Sequence, residues 1–252
     1  MTRRRILLVN PNTSALVTQI LASEARRIVG EAAEIDAVTA PFGAASLECR
    51  AELVVAAHAV LEAIAAHTNY DAAVIGAFGD PGLEAAQDIA RAPVFGLGRS
   101  GLRAAAAGGR RFAIVTIGER MRPDIERMVV AEGLSNQLTA IRFLSAAVLD
   151  VAADRALFSD ALVSAAHACV TEGGAQSILF GGAPFAGIAH DLADRIAAPV
   201  FDGLASAMRD AMEAPPLSAP AGVMASATPR KANVRVSQQL AERIHDFLSR
   251  RV

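Results

Sequence analysis

Two kinds of apolar segment alternate along the chain. Short runs of large aliphatic and β-branched residues are each followed by an Ala-rich stretch whose apolar positions recur at helical spacing. This alternation is typical of βα units, which build a parallel sheet covered by helices. The pattern predicts strands at 5–10, 34–39, 72–77, 93–96, 112–116, 140–144, 177–181 and 199–201. It predicts helices at 13–29, 47–67, 82–91, 100–107, 121–132, 154–172, 186–196 and 203–213.

The second half of the chain resembles the first. Three pairs of segments match in the same order, at offsets of 105 or 106 residues: 5–10 with 111–116, 74–77 with 179–182, and 92–95 with 198–201. The alternative is that all βα units look alike, but the shared order and offset favour a true repeat. We therefore expect an α/β fold of two pseudo-symmetric lobes, 1–98 and 99–205, each a mainly parallel sheet flanked by helices.

The last part of the chain has a different composition. Residues 214–235 are rich in Pro, Ala and Ser, which predicts a linker. A short amphipathic helix is predicted at about 236–250. We expect the tail, 206–252, to pack back on the first lobe, or its helix to pack on a neighbouring subunit.

Composition excludes several classes of protein. The chain has 252 residues, 53% of them hydrophobic, and a formal net charge of −2, so no basic surface indicates nucleic acid or an anionic membrane as a partner. Its longest apolar runs are well below the ~20 residues of a membrane span, and the apolar stretch after the basic start is too short for a signal peptide. Two cysteines do not form a disulfide framework in a chain of this size. We expect a cytoplasmic protein.

The distribution of Lys and His argues against a cofactor or a metal. Lys231 is the only lysine and lies in the tail, so neither a Walker A loop nor a pyridoxal Schiff base is indicated. The five histidines are scattered singly, with no spacing typical of metal ligands.

Candidate chemistry lies where strands end, because parallel sheets bind ligands beyond the carboxyl ends of their strands. Four segments qualify: 10–14 (NPNTS), 76–82 (GAFGDPG), 116–118 (TIG) and 181–185 (GGAPF). The Asn, Thr and Ser side chains of the first segment suit either a helix cap or a polar ligand. The two glycine loops allow close backbone approach to an anion. Together the segments predict a small-anion site that both lobes share.

These segments resemble a known family. Residues 6–14 (ILLVNPNTS), 45–48 (ASLE), 78–83 (FGDPGL), 92–98 (APVFGLG) and 199–203 (PVFDG) are similar to motifs of the Asp/Glu/hydantoin racemase family, above all to its hydantoin and allantoin racemases. The similarity covers about 5–210. It implies two pseudo-symmetric lobes with a ligand cleft between them, no cofactor, a small carboxylate or cyclic amide as substrate, and a homo-oligomer.

The resemblance also implies a mechanism, from which this chain departs. Inverting a carbon next to a carbonyl requires that a proton be removed on one face and delivered on the other, and the family uses one cysteine from each lobe for this. The positions that correspond to those cysteines are Ala77 and Gly182. Neither side chain can carry a proton.

Other residues are therefore candidates for the chemistry. Cys49 and Asp80 are the candidate catalytic residues, a thiol near a helix N-terminus and a carboxylate in the glycine loop. Each also has a structural explanation, as a small apolar filler and as part of the loop. The predicted binding residues are Asn12, Thr13, Ser46, Glu48, Phe78, Gly79, Thr116, Ile117, Gly182, Ala183 and Pro184.

Two functions follow from these observations. The first is a cofactor-independent racemase or related isomerase that acts on a carbon next to a carbonyl in a hydantoin-, allantoin- or amino-acid-like compound, with a non-standard acid/base set. The second is a catalytically silent family member that binds a small acid or cyclic amide as a sensor or regulatory protein.

Overall fold

Two four-stranded parallel sheets organise the molecule. The computed structural model describes residues 3–215 and 231–249. The first sheet contains β1 (Arg4–Asn10), β2 (Ala33–Thr39), β3 (Ala72–Ile75) and β4 (Val94–Gly96), in the spatial order β2-β1-β3-β4. The second contains β5 (Phe112–Ile117), β6 (Leu138–Leu144), β7 (Ser177–Gly181) and β8 (Val200–Asp202), in the order β6-β5-β7-β8. The strand order is the same in both sheets, which confirms the predicted α/β fold with two pseudo-symmetric lobes.

Helices cover both faces of each sheet. They are α1 (Ala15–Val29), α2 (Arg50–Ala66), α3 (Leu83–Ile89), α4 (Leu97–Ala106), α5 (Arg122–Ala131), α6 (Val148–Ala153), α7 (Ser159–Thr171), α8 (Ile188–Leu192), α9 (Gly203–Glu213) and α10 (Gln238–Leu248). Strands covered in this way must be apolar on both sides. Residues 6–9 of β1 and 72–75 of β3 are accordingly buried throughout.

All eight strands occur where the hydrophobic pattern predicts them, whereas two helices differ. The stretch 154–172, predicted as one helix, begins with two non-helical residues and a 3-10 turn at Ala156–Phe158, and α7 starts only at Ser159. The helix α6 that precedes it was not predicted. The helix predicted at 186–196 is shortened to α8, which is followed by a 3-10 turn at Ala193–Arg195.

The lobes exchange one helix each at the centre of the molecule. Helix α4 follows β4 of the first sheet but packs its Leu102 and Ala105 on Phe112 and Leu179 of the second. Helix α9 follows β8 of the second sheet, and its Leu204, Ala207, Met208 and Ala211 pack in the core of the first sheet. This exchange joins the two lobes through a shared core.

Glycines let the exchanged helices approach closely. A Cβ atom on Gly101 of α4 would lie 2.8 Å from a methyl carbon of Leu179, and one on Gly203 of α9 would lie 2.7 Å from the carbonyl oxygen of Leu97. The predicted lobe boundaries at 98/99 and 205/206 fall in the first turns of α4 and α9, and they stay a prediction.

The tail helix α10 packs across α2 and α3. Leu240 is 2% exposed and lies in the same apolar cluster as Ile64, Leu83 and Ile89. The backbone N–H of Ser237, at the start of the helix, donates to Oε1 of Glu62 at 3.1 Å. Most of the predicted linker lies outside the described residues. Within the described ranges, no helix has the length and apolar character needed to cross a membrane.

Candidate functional site

A small cavity lies between the two sheets, at the carboxyl ends of their central strands. Its volume is about 70 Å³, several times the ~10–15 Å³ that one water needs on such a measure. All four strand-end segments contribute to it. The residues that line it are Asn12, Leu47, Leu53, Ala77, Phe78, Gly79, Thr116, Ile117, Met121, Ile125, Val148, Gly182, Ala183 and Pro184.

Two residues with polar side chains, Asn12 and Thr116, line the cavity. Asn12 is only 4% exposed, and its Oδ1 accepts from Asn10 Nδ2 and from the Ser14 N–H, both at 2.9 Å. These two donors fix the amide orientation. Within the described residues, no acceptor binds the Asn12 Nδ2, so this group is available to a ligand.

Thr116 is the second-lobe counterpart of Asn10, by the offset of 106. It is 3% exposed, and its hydroxyl donates to the Gly181 carbonyl oxygen at 2.6 Å. That bond uses the hydroxyl proton and leaves the oxygen as an acceptor. Asn12 and Thr116 together thus offer the cavity both a donor and an acceptor.

Residues of both glycine loops line the cavity. Gly182 has φ +136° and precedes a 3-10 turn at Ala183–Phe185. Among the described residues, no backbone or side-chain acceptor pairs with the N–H groups of Phe78, Gly79 and Ala183. Unpaired amides on both loops are suited to an oxyanion or a ligand carbonyl.

Large apolar side chains also line the cavity. They are Leu47, Leu53, Met121, Ile125 and Val148. None of these five residues was predicted, because an apolar residue in a sequence looks the same whether it faces a core or a cavity. None of the described residues that line the cavity has a titratable side chain.

The positions at which the family resemblance implies cysteines lie on this cavity. Ala77 comes from the loop after β3, and Gly182 from the loop after β7, so each lobe contributes one. A Cβ on Gly182 would meet nothing nearer than Phe185, at 3.4 Å. The space for a side chain therefore exists at this position, although its backbone angle favours glycine.

Asp80, a candidate catalytic residue, does not line the cavity. Its carboxylate accepts from the backbone N–H groups of Gly98 (2.8 Å) and Arg99 (2.7 Å) at the start of α4. Burial raises the pKa of Asp80 to about 7, an increase that the two amide bonds reduce. The carboxylate is thus hydrogen-bonded to the first turn of α4 and does not face the cavity.

Cys49 and its neighbours lie at the edge of the cavity. Only Leu47 of this loop lines it; the Ser46 hydroxyl donates to Glu48 Oε1 at 2.6 Å. Cys49 is the N-cap residue of α2, and Glu52 Oε2 accepts from the N–H groups of Glu48 (2.6 Å) and Cys49 (3.1 Å). These bonds explain why α2 begins at Arg50.

Thr13 likewise lies outside the wall. Its N–H donates to the Ala44 carbonyl oxygen at 2.9 Å, which joins the first strand-end segment to the loop that contains Leu47. The structure therefore brings the predicted binding residues of four segments together, and leaves Thr13, Ser46, Glu48, Cys49 and Asp80 out of the lining.

The fold and the site define a class: a two-lobed α/β protein with a small cavity between pseudo-symmetric strand ends. A family model described as Asp/Glu/Hydantoin racemase matches residues 6–211, and the chain belongs to this family. Racemases are isomerases, and the family places the chain in that class of enzyme.

Individual relatives agree with this family. The chain is 32% identical to a hydantoin racemase of Paenarthrobacter aurescens, over 81% of this chain and 88% of that one. The solved allantoin racemase of Klebsiella pneumoniae is 30% identical, with a TM-score of 0.79, and the match covers 82% of this chain and 86% of that one. The allantoin racemase of Pseudomonas fluorescens is 31% identical, with a TM-score of 0.78, over 82% and 88%. The resemblance noted in the sequence is confirmed.

Proposed function

We propose that the protein is a cofactor-independent racemase-type isomerase that acts on a carbon next to a carbonyl in a small cyclic amide or carboxylate. Hydantoins, allantoin and amino acids are the compounds to test, because relatives are named as hydantoin and allantoin racemases. The proposal also takes the protein to be a cytoplasmic homo-oligomer.

The observation that carries the proposal is that equivalent segments of the two lobes form the wall of the cavity. Equivalent strand ends of the two lobes meet across one small volume, with Ala77 on one loop and Gly182 on the other. A ligand there has one loop from each lobe beside it. Racemisation needs access to two opposite faces of one carbon, and this arrangement supplies it.

The cavity also supports the charge that such a reaction creates. Removal of a proton next to a carbonyl leaves an enolate oxygen, which unpaired N–H groups stabilise. Phe78, Gly79 and Ala183 offer such groups, and Asn12 adds a side-chain donor. One donor of this kind contributes about 10²–10³ in rate in other enzymes.

The cavity lining favours a second function as well. With no titratable side chain among its described residues, the cavity contains no group that abstracts a proton directly. This supports a catalytically silent member that binds a small acid or cyclic amide as a sensor or regulatory protein.

Proton exchange in D2O separates the two functions. Incubation with hydantoin, a 5-substituted hydantoin, allantoin and free amino acids is followed by NMR for loss of the α-proton. We expect protein-dependent exchange on one of these compounds. Thermal stabilisation by a compound, with no exchange on any of them, would instead establish the binder.

The proton carrier is identified with matched variants. Cys49→Ala removes the thiol, and Asp80→Asn removes the ionisable carboxyl group while it keeps the size of the side chain. Exchange that ceases in one variant, while its fold, its ligand binding and the order of the Phe78–Gly79 backbone persist, assigns the chemistry to that residue. Exchange that persists in both excludes the two candidates.

Restoring the family's thiols is the strongest test of the site. We expect the double variant Ala77→Cys with Gly182→Cys to racemise a hydantoin at least ~10²-fold faster than either single variant, since general acid–base catalysis contributes about that much and needs both faces. The single variants are the matched controls. A folded double variant with no gain on any compound would mean that the cavity is not the reaction site.

A further inference from the structure

The junction between the last strand and the last helix of each sheet recurs in both lobes. In the first lobe β4 ends at Gly96 and α4 starts at Leu97; in the second β8 ends at Asp202 and α9 starts at Gly203. The offset is 106 residues at every position. Gly96 is therefore the counterpart of Asp202, Gly98 that of Leu204, and Arg99 that of Ala205.

In the second lobe, Asp202 caps the helix that follows it. Its Oδ1 accepts from the Ala205 N–H at 2.9 Å, and the residue is 2% exposed. This is the ordinary arrangement of an N-cap carboxylate, which satisfies amides of the first helical turn that have no partner within the helix.

In the first lobe, the carboxylate comes from another part of the chain. A Cβ placed on Gly96 would collide with the carboxyl group of Asp80. That carboxyl group accepts from Gly98 and Arg99, the counterparts of Leu204 and Ala205. Asp80 thus fills the volume that an aspartate at position 96 would occupy, and makes the equivalent bonds.

The two carboxylates differ in the element they belong to, although both reach a loop that follows a central strand, since the Gly187 N–H after β7 also donates to Asp202. Asp202 belongs to the strand that leads directly into its helix. Asp80 belongs to the loop after β3. The residues of this loop that line the cavity, Ala77, Phe78 and Gly79, lie immediately before Asp80. The Asp80 backbone has φ +45°, in the left-handed region that residues other than glycine rarely adopt, so its carboxylate bonds hold the loop in an unusual turn.

Further contacts connect this loop to both lobes. The carbonyl oxygen of Phe78 leaves no room for a side chain on Gly98, at the start of α4. The ring of Phe78 lies over Gly181 of the second sheet, where a Cβ would come within 2.6–2.9 Å of three ring carbons. The position of Phe78 therefore depends on how the loop sits against α4.

We propose that Asp80 is a positioning residue, which ties the Ala77–Gly79 wall of the cavity to the first turn of α4 in addition to capping that helix. The inference rests on the proposed function only in taking the same cavity as the site. Capping and tethering are separable, because an aspartate at position 96 would cap α4 without holding the loop.

Three variants of the full-length protein test this separation: Asp80→Gly, Gly96→Asp, and the two combined. We expect each single variant to unfold at a temperature lower by about 3–6 °C, since one loses two amide partners and the other collides with Asp80. We expect the double variant to recover most of this loss. Amide exchange at Gly98 and Arg99, fast in Asp80→Gly, should become slow again in the double variant.

The loop is followed separately, by backbone ¹⁵N order parameters of Phe78 and Gly79. These should fall from about 0.85 to below about 0.6, the range of flexible backbone, in both Asp80→Gly and the double variant. If the double variant regains both its melting temperature and the native order parameters of Phe78 and Gly79, Asp80 acts only as a cap of α4. A double variant that stays as unstable as the singles would overturn the equivalence of positions 80 and 96.

An asparagine variant controls for the flexibility of glycine. Asp80→Asn keeps the size of the side chain, tolerates φ +45°, and retains one acceptor oxygen. We expect order parameters of Phe78 and Gly79 between those of the native protein and of Asp80→Gly. Native values in this variant would attribute the mobility of Asp80→Gly to glycine itself and reject the tether. No ligand enters these measurements, so their outcome is independent of the proposed activity.

Discussion

At the scale of single residues, several carboxylates that could act in catalysis are instead hydrogen-bonded to backbone N–H groups. The carboxylates of Asp80, Asp202 and Glu52 each accept from N–H groups at the start of a helix. Such amides have no partner within the helix. A carboxylate at a strand-to-helix junction therefore has a structural explanation before a catalytic one, and the cavity between the lobes is left to backbone amides, Asn12 and Thr116.

Cys49 provides a prediction at this scale. Serine is a better N-cap than cysteine, so we expect Cys49→Ser to leave ligand binding unchanged and the free energy of unfolding equal or higher by up to ~1 kcal/mol. Glu52→Ala, which removes the acceptor for two N–H groups, should cost about 1 kcal/mol. Urea unfolding of both variants measures this. Loss of ligand binding or of proton exchange in a folded Cys49→Ser protein would instead give the thiol a role in the site.

At the scale of elements, contacts between elements that are distant in the sequence shape the cavity. The loop after β3 meets the end of β7 where the Phe78 ring covers Gly181, and the Gly181 carbonyl oxygen accepts from Thr116 of β5. Glycine at position 181 is required by this close approach. The absence of a side chain at Gly181 therefore allows the loop after β3 to lie close to the end of β7.

A substitution at Gly181 tests that contact. Gly181→Ala places a methyl group 2.6–2.9 Å from the Phe78 ring, so the ring must move, and we expect a loss of about 1–3 kcal/mol in the free energy of unfolding. Ligand binding should weaken with it. Phe78→Leu combined with Gly181→Ala should regain part of the stability. If the combined losses are simply additive, the ring and the glycine are not coupled.

The tail helix gives a second prediction at this scale. Leu240 is buried between α10 and the first lobe, whereas Val234 is 80% exposed. We expect Leu240→Ala to cost about 2–4 kcal/mol, from the lost transfer free energy and the cavity left behind. The control Val234→Ala should change stability by less than ~0.5 kcal/mol. Equal effects of the two substitutions would show that α10 does not contribute to the stability of the core.

At the scale of the whole molecule, each of the two exchanged helices begins at an aspartate carboxylate: the half-buried Asp80 at α4 and the buried Asp202 at α9. Burial raises the pKa of Asp80 to about 7 and that of Asp202 to about 6. The charged groups that face them are Arg99 and Glu132 for Asp80, with Glu84 and Arg127 on the adjoining surface, and Glu24 and Arg27 for Asp202. Both junctions therefore titrate well above the range of ordinary aspartates.

These pKa values predict how stability depends on pH. A carboxyl whose pKa is raised on folding binds its proton more tightly in the folded state, so its contribution is complete below pH ~4 and is lost as pH rises through the folded-state pKa. Each group contributes a slope of at most ~1.4 kcal/mol per pH unit. We expect Asp202→Asn to flatten the stability curve between about pH 4 and 6, and Asp80→Asn between about 4 and 7.

Urea unfolding from pH 4.5 to 8 measures both slopes against the native protein. The comparison of each variant with the native chain cancels the titration of all other groups. Parallel curves for native and variant proteins would show that the carboxyl in question has the same pKa in the folded and unfolded chains.

Features of the fold that depend on local sequence patterns could be predicted, whereas features that depend on contacts between distant segments could not. All eight strands were predictable, since buried parallel strands are continuous apolar runs, and the repeat predicted two similar sheets. The break before Ser159 and the exchange of α4 and α9 between the sheets were not, because both depend on packing between distant segments.

The same distinction holds for the residues of the candidate site. Asn12, Thr116 and the glycine loops were predictable, because parallel strands place their ends at one edge of a sheet. The apolar wall was not, since Leu53 or Ile125 reads as an ordinary core position. The partner of the Asp80 carboxylate lies 18 residues away at Gly98, and the sequence offers no indication of that bond.

The junctions at Gly96 and Asp202 also restrict how such a chain can diverge. Because a side chain at position 96 and the carboxylate of Asp80 compete for one volume, neither lobe's arrangement converts into the other by a single substitution. A lineage that changes position 80 first passes through a helix start with unpaired amides, and one that changes position 96 first passes through a steric clash. The effect of a mutation at either position thus depends on the residue at the other, and sequences of related proteins should show the two positions changing together.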